Sequence, residues 1–191
     1  MTEILSNSVK ETKEYLEKKA KFLDMAISMT SLAEINIKAD ISEEDKQKAY
    51  SAVDNNDFEI NNFKEFLSSL HKSSRDAFLT PYTEEALKES FTTYKLNGYD
   101  AGFAIKNDGD ITSLHNNSGV PGLGSKLIEK AKELGGTKLD HFDGFLSELY
   151  EKHGFEEYER LKWNDEYAPE NWDYETYGKP DVVLRRLKTE K

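Results

Sequence analysis

Apolar positions in the first third of the chain recur at helical spacing. Val9, Leu16, Leu23 and Ile27 form one stripe among Lys and Glu, which predicts an amphipathic helix over residues 3–30. Ser42 followed by Glu43, Glu44 and Asp45 reads as an N-cap with acids in the first turn, opening a helix that runs to about Val53. Phe63, Phe66, Leu67 and Leu70 share one face and predict a third helix over Phe58 to Leu70.

From about Arg75 the pattern alternates. Asp76–Thr80 reads as a strand closed by Pro81, and Thr83 caps a helix reaching about Leu96, ended by Asn97-Gly98. Tyr99–Ile105 is a strand, Lys106–Asp110 a hairpin turn through Asp108-Gly109, and Ile111–His115 the returning antiparallel strand. Leu127, Ile128, Ala131 and Leu134 mark a helix stopped by Gly135-Gly136. Strands follow at Thr137–Phe142, Phe155–Trp163 and Pro180–Leu187, with a short helix from Asp143 to His153 between the first two. The reading is an α+β fold: residues 73–191 form a mixed, mainly antiparallel central sheet flanked by helices, and residues 1–72 a helical extension.

Composition narrows the function. The 191 residues carry a net charge of −11, which argues against nucleic-acid binding and suits a cationic amine or a basic protein partner. Solubility alone also accounts for an acidic surface. With no cysteine, disulfides, thiolate catalysis and cysteine-based zinc sites are excluded. Four scattered histidines without helical H-x-x-x-H spacing predict no metal site. The N-terminus lacks a cationic stretch followed by an apolar run, and no segment approaches the ~20 apolar residues that span a bilayer. The expectation is a cytoplasmic protein without membrane contact; oligomeric state stays open.

The chain's chemistry concentrates after the strand Ile111–His115. Gly119-Val120-Pro121-Gly122-Leu123-Gly124-Ser125 leads directly into a helix. Glycines let the backbone approach a ligand, and the free N–H groups and positive dipole end of the helix's first turn attract anions. Glycines at 119, 122 and 124 do not meet the dinucleotide spacing, and no Gly-Lys-Ser/Thr ending marks a P-loop. An anion cradle of another type, or a turn with glycine for steric reasons, remains.

A second motif follows: Leu149-Tyr150-Glu151-Lys152-His153-Gly154-Phe155, a helix end closing on glycine before the next strand. Together with Gly122-Leu123-Gly124-Ser125, this order resembles the GNAT superfamily of N-acetyltransferases over residues 75–191, with specific motifs in 116–155. The resemblance implies acetyl-CoA as cofactor. Its pyrophosphate would lie on backbone N–H groups of Val120, Gly122, Leu123, Gly124 and Ser125. The strand end Leu114–Asn116 would pair with the pantetheine arm, and a backbone N–H there would polarise the acetyl carbonyl. Tyr150 would protonate the leaving thiolate, and Asp143 would cap the helix that carries it. Three positions depart from the family pattern: Gly119 stands for Gln or Arg, Pro121 removes a donor, and Leu146 replaces alanine.

For a general base, His115 at the end of the strand entering the site is the first candidate and His141 the second. The acidic, aromatic stretch between the last two strands offers Trp163, Tyr167, Trp172 and Asp173 as a wall for a cationic acceptor; its aromatics would equally cover the sheet. The resemblance thus implies transfer of acetyl by direct attack of a primary amine: a small polyamine-like molecule, a lysine or a protein N-terminus. The rival is an acidic GNAT-fold binding protein without catalysis that occupies a basic partner.

Overall fold

Two antiparallel sheets carry the structure, a computed structural model that describes residues 41–72, 82–168 and 172–189. The helix expected over 3–30 and the strand expected over 76–80 lie outside these residues. The elements run α1 (Glu43–Asp54), β1 (Phe58–Ile60), α2 (Phe63–Leu70), α3 (Glu84–Ser90), β2 (Phe91–Leu96), β3 (Ala101–Lys106) and β4 (Ile111–Asn116). Then come α4 (Leu123–Glu133), β5 (Lys138–Phe142), α5 (Phe145–Lys152), β6 (Phe155–Leu161), a 3-10 turn (Asp165–Tyr167), α6 (Tyr174–Tyr177) and β7 (Val182–Leu187). This is the α+β class read from the sequence.

The first sheet has the order β1-β2-β3-β4 and the second β5-β7-β6. A single parallel bridge, Asp110 to Lys138, joins β4 to β5 among the described residues. Beyond it the two strands continue without pairing, so each turns a backbone edge toward the gap between the sheets.

Two helices are shorter than the pattern predicts. Phe58–Ile60 is a strand paired with Leu96–Tyr94, not the start of a helix. Asn56 and Asn61 both adopt φ 56°, which interrupts a helix on either side of it, and Asn62 then caps α2 through Glu65 N–H. The helix expected to reach Leu96 stops at Ser90, and Phe91–Leu96 becomes β2, paired with β3. Its Phe-Thr-Thr-Tyr run prefers a pleated surface, and the cross-strand partners decide the matter.

One core lies on the face covered by α1, α4 and α5, where Ala49, Val53, Phe103, Leu114, Leu127, Ile128, Tyr150 and Phe155 pack together. On the opposite face α2 and α3 bury Phe66, Leu70 and Leu87 against Ala104, and Trp163, Tyr167, Ala168, Trp172 and Tyr177 pack on Phe142, Val182 and Leu184. Strand parity assigns the faces: Phe103 and Ile105 point one way, Ala104 the other. β1 is part of the first sheet, and Ala49 and Val53 share a core with Leu127. Among the described residues, no helix is long and apolar enough to cross a membrane.

Candidate active site

The gap between β4 and β5 is framed by the glycine loop on one side and α5 on the other. Asn116, the last residue of β4, braces the loop. Its Oδ1 accepts from Ser118 N–H and Oγ, and its Nδ2 donates to Val120 O at 2.9 Å. Gly119 and Gly122 hold φ of 76° and 74°, conformations that exclude most side chains. Gly122 opens α4 with no side-chain cap, so the first-turn N–H groups of Gly124 and Ser125 precede the first intrahelical bond, Lys126 N–H to Gly122 O at 3.4 Å.

The cradle is narrower than the sequence predicts. Val120 N–H donates to Ser118 Oγ at 3.2 Å and Leu123 N–H turns back to Val120 O at 3.4 Å. The side chains of Val120 and Leu123 are buried in the core beneath. Gly122, Gly124 and Ser125 are not drawn into these bonds.

Sequence reasoning missed the residue that covers this loop. Tyr50 of α1 donates its hydroxyl to Pro121 O at 2.8 Å, and a Cβ on Gly122 would meet that hydroxyl at 2.3 Å. Asp54, one turn on, pairs with Lys126 at 2.9 Å. Tyr50, Asp54, Gly122 and Lys126, with Ser125 and His153, line a cavity of about 560 Å³ beside α4. Its location against the loop comes entirely from long-range packing, which leaves no mark in local sequence.

On the far side, Tyr150 of α5 is buried, with its ring 5.2 Å from His141 and 6.1 Å, edge-on, from Phe155. His141 is buried; Nδ1 donates to Phe142 O at 2.7 Å and Nε2 accepts from Arg185 Nε at 2.8 Å. Burial, the main cause, takes its pKa down to about 4, and the Arg185 charge works in the same direction. His141 is therefore a neutral packing partner of Tyr150 rather than a base. Asp143 is not the cap of α5; Gly144 is, at φ 142°. The Asp143 carboxylate still serves the first turn, accepting from Gly144 N–H and Ser147 Oγ, and pairs with Arg160. The Ser147 hydrogen bond and Arg160 hold it below the usual carboxylate range.

His115 does not stand ready as a base either. It is fully buried on the α2 side, where Nε2 accepts from Ser69 Oγ at 2.8 Å, Nδ1 donates to Ser113 O at 2.8 Å, and the ring meets Phe66 edge-on. Burial pushes its pKa down to about 4. The cause is a bulge in β4: pairing slips between Gly102 and Ala104, and Ser113 takes φ 51°. Ile111 and Leu114 therefore both enter the α4 core, and His115 turns to the opposite face. Leu114, expected at the cofactor strand, contributes its side chain to that core.

The aromatic stretch closes on the sheet. Trp172 is buried against Phe142 and Trp163, both at 4.9 Å between centroids, and donates Nε1 to Gly178 O. Asp173 caps α6, accepting from the N–H groups of Glu175 and Thr176 and from Thr176 Oγ1. Trp163 and Tyr167 are half-buried against the same cluster. Trp172 and Asp173 are thus structural here, and an acceptor wall of all four side chains does not form. Among the described residues, no group of three or more His, Asp or Glu could hold a metal ion.

No family model matches the sequence, and no curated protein does. Among solved structures, the chain is similar to N-acetylglutamate synthase from Neisseria gonorrhoeae complexed with coenzyme A and L-arginine, at 19% identity and a TM-score of 0.37, covering 69% of this chain and 34% of that one. It therefore spans about a third of that protein's length. A Bacillus subtilis acetyltransferase in complex with CoA is similar at 18% identity and a TM-score of 0.43, covering 70% and 99%. The ribosomal-protein-S18-alanine N-acetyltransferase from Escherichia coli is similar at 16% identity and a TM-score of 0.36, covering 78% and 90%. The likeness is weak at these TM-scores, and what the site can do is read from its own geometry.

Proposed function

We propose that this protein is an acetyl-CoA-dependent N-acetyltransferase of GNAT type. The supporting observation is the gap itself: β4 and β5 start together at Asp110 and Lys138, continue unpaired, and have the glycine loop and Tyr150 on either side. A molecule with amide groups along its length can pair with such free strand edges. The uncapped first turn of α4 suits its phosphates, because the N–H groups of Gly124 and Ser125 precede the first intrahelical bond.

Acetyl-CoA supplies an activated carbonyl and a thiolate leaving group. Gly122, Gly124 and Ser125 N–H groups hold the pyrophosphate, and the β4 edge at Leu114–Asn116 takes the pantetheine arm and polarises the carbonyl. Tyr150 gives its hydroxyl proton to the departing sulfur. The attacking amine gives up its proton to solvent, since both candidate histidines are engaged at both nitrogens. The chain's −11 charge favours a cationic acceptor: a polyamine-like molecule, a lysine or a protein N-terminus.

The rival, a non-catalytic acidic protein that occupies a basic partner, draws on the loop, where Pro121 lacks an N–H and that of Val120 is committed. Calorimetric titration with acetyl-CoA and CoA separates the two. Micromolar binding that Gly124→Glu weakens supports the enzyme; no binding to either supports the rival.

A further inference from the structure

Arg185 lies on β7 between β5 and β6 and is 5% exposed. Its Nε donates to His141 Nε2 at 2.8 Å and its Nη1 to Phe155 O at 3.1 Å. Both acceptors are neutral. Burying a guanidinium costs several kcal/mol, and an apolar side chain of similar volume would fill the same space at no such cost. The charge therefore calls for an explanation beyond packing.

The two groups that Arg185 grips flank one side chain. His141 lies against the Tyr150 ring at 5.2 Å, and Phe155 meets the same ring edge-on at 6.1 Å. Because His141 Nδ1 donates to Phe142 O, its Nε2 lone pair must face Arg185, so two hydrogen bonds fix the tautomer and the ring plane. Other charges near His141 are Asp143 and Arg160, which pair with each other. Glu157, the cross-strand neighbour of Arg185, is taken up by Arg160 as well.

We propose that Arg185 is a positioning residue for the acid step: it holds the Tyr150 ring in place through His141 and Phe155. This rests on the acetyltransferase reading above. The proton passes from the Tyr150 hydroxyl to the departing sulfur as the carbon–sulfur bond breaks, and the phenolate recovers one from solvent.

The test compares Arg185→Met and Arg185→Lys in the natural chain and in a Tyr150→Phe background. Calorimetry gives CoA affinity. Release of CoA thiol from acetyl-CoA, with spermidine as the probe amine, gives the rate; the chain has no cysteine to interfere with a thiol reagent. Ring nitrogen NMR reports the His141 tautomer. Arg185→Met is expected to lower the rate about tenfold with CoA affinity unchanged within about twofold, to add nothing once Tyr150 is Phe, and to release the fixed tautomer. Arg185→Lys should recover part of the rate, and it carries the test if the Met variant does not fold. Losses that multiply in the double variant, or a rate loss with the His141 tautomer intact, would overturn the proposal. Absence of both CoA binding and thiol release in the natural chain would instead sink the acetyltransferase reading, and this proposal with it.

Discussion

The hydroxyl of Tyr50 donates to the carbonyl of Pro121 at 2.8 Å, tying α1 to the glycine loop across 71 positions of sequence. Helix α1 is thereby part of the candidate site's wall. The same phenol fills the space a side chain at Gly122 would need.

Removing that hydroxyl should loosen the loop without unfolding the protein. Tyr50→Phe is expected to weaken CoA binding about 3- to 10-fold by calorimetry and to cost about 1 kcal/mol of stability. Gly122→Ala meets both a left-handed φ and the Tyr50 hydroxyl, and should cost about 2–3 kcal/mol. In the Tyr50→Phe background only the backbone strain remains, so the Gly122→Ala cost should shrink. Equal costs in both backgrounds would show that the phenol does not crowd the loop.

Tyr150→Phe tests the acid directly. The ring keeps its contacts with His141 and Phe155, so the fold and CoA affinity should hold. Acyl transfer should fall by a factor of about 10² or more, the usual contribution of a positioned general acid. An undiminished rate in steady-state assays would remove Tyr150 from the chemistry.

How much of this was legible beforehand follows the range of each signal. The α1 cap at Ser42, the hairpin turn at Asp108-Gly109 and the glycine loop are written within a few residues, and the structure has all three. Helix or strand over 58–60 and 91–96 was misread, because a short apolar run fits both periods until its partner strand is known. His115 was misread for a subtler reason. In a regular strand it would share a face with Ile111, but the Ser113 bulge reverses the parity. Nothing local announces that bulge, nor that Tyr50 or Arg185 would meet residues far along the chain.

The aromatic stretch makes a distinction that thermodynamics can read. If Trp172 anchors the 163–177 segment on β5 and β7, Trp172→Ala should cost about 3–5 kcal/mol in denaturant unfolding. Asp173→Ala should cost about 1 kcal/mol through loss of the α6 cap, and leave acceptor KM unchanged. A raised acceptor KM with stability intact would return Asp173 to the acceptor side.

Acid titration should expose both buried histidines. His115 and His141 have pKa values lowered from 6.5 to about 4, chiefly by burial. Between those values the unfolded chain binds protons that the native chain refuses, so stability is complete above about 6.5 and declines as pH falls toward 4. Each group contributes on the order of 2–3 kcal/mol across that window. Asp143, Asp165 and Asp181 have pKa values lowered below the carboxylate value of 3.8 by hydrogen bonds to side chains, so their losses come at lower pH. Urea unfolding at pH 7, 5.5 and 4.5 should therefore show a steady fall in midpoint that is mostly the histidines', since Glu129 and Glu157, lowered from 4.5, add their losses only at the lowest of these pH values. His115→Gln should flatten that slope by about half, since one of the two titrating groups is gone, although its stability at pH 7 also drops as the Ser69 and Ser113 partners are disturbed. A midpoint that stays constant from pH 7 to 4.5 would mean that neither imidazole is buried as described.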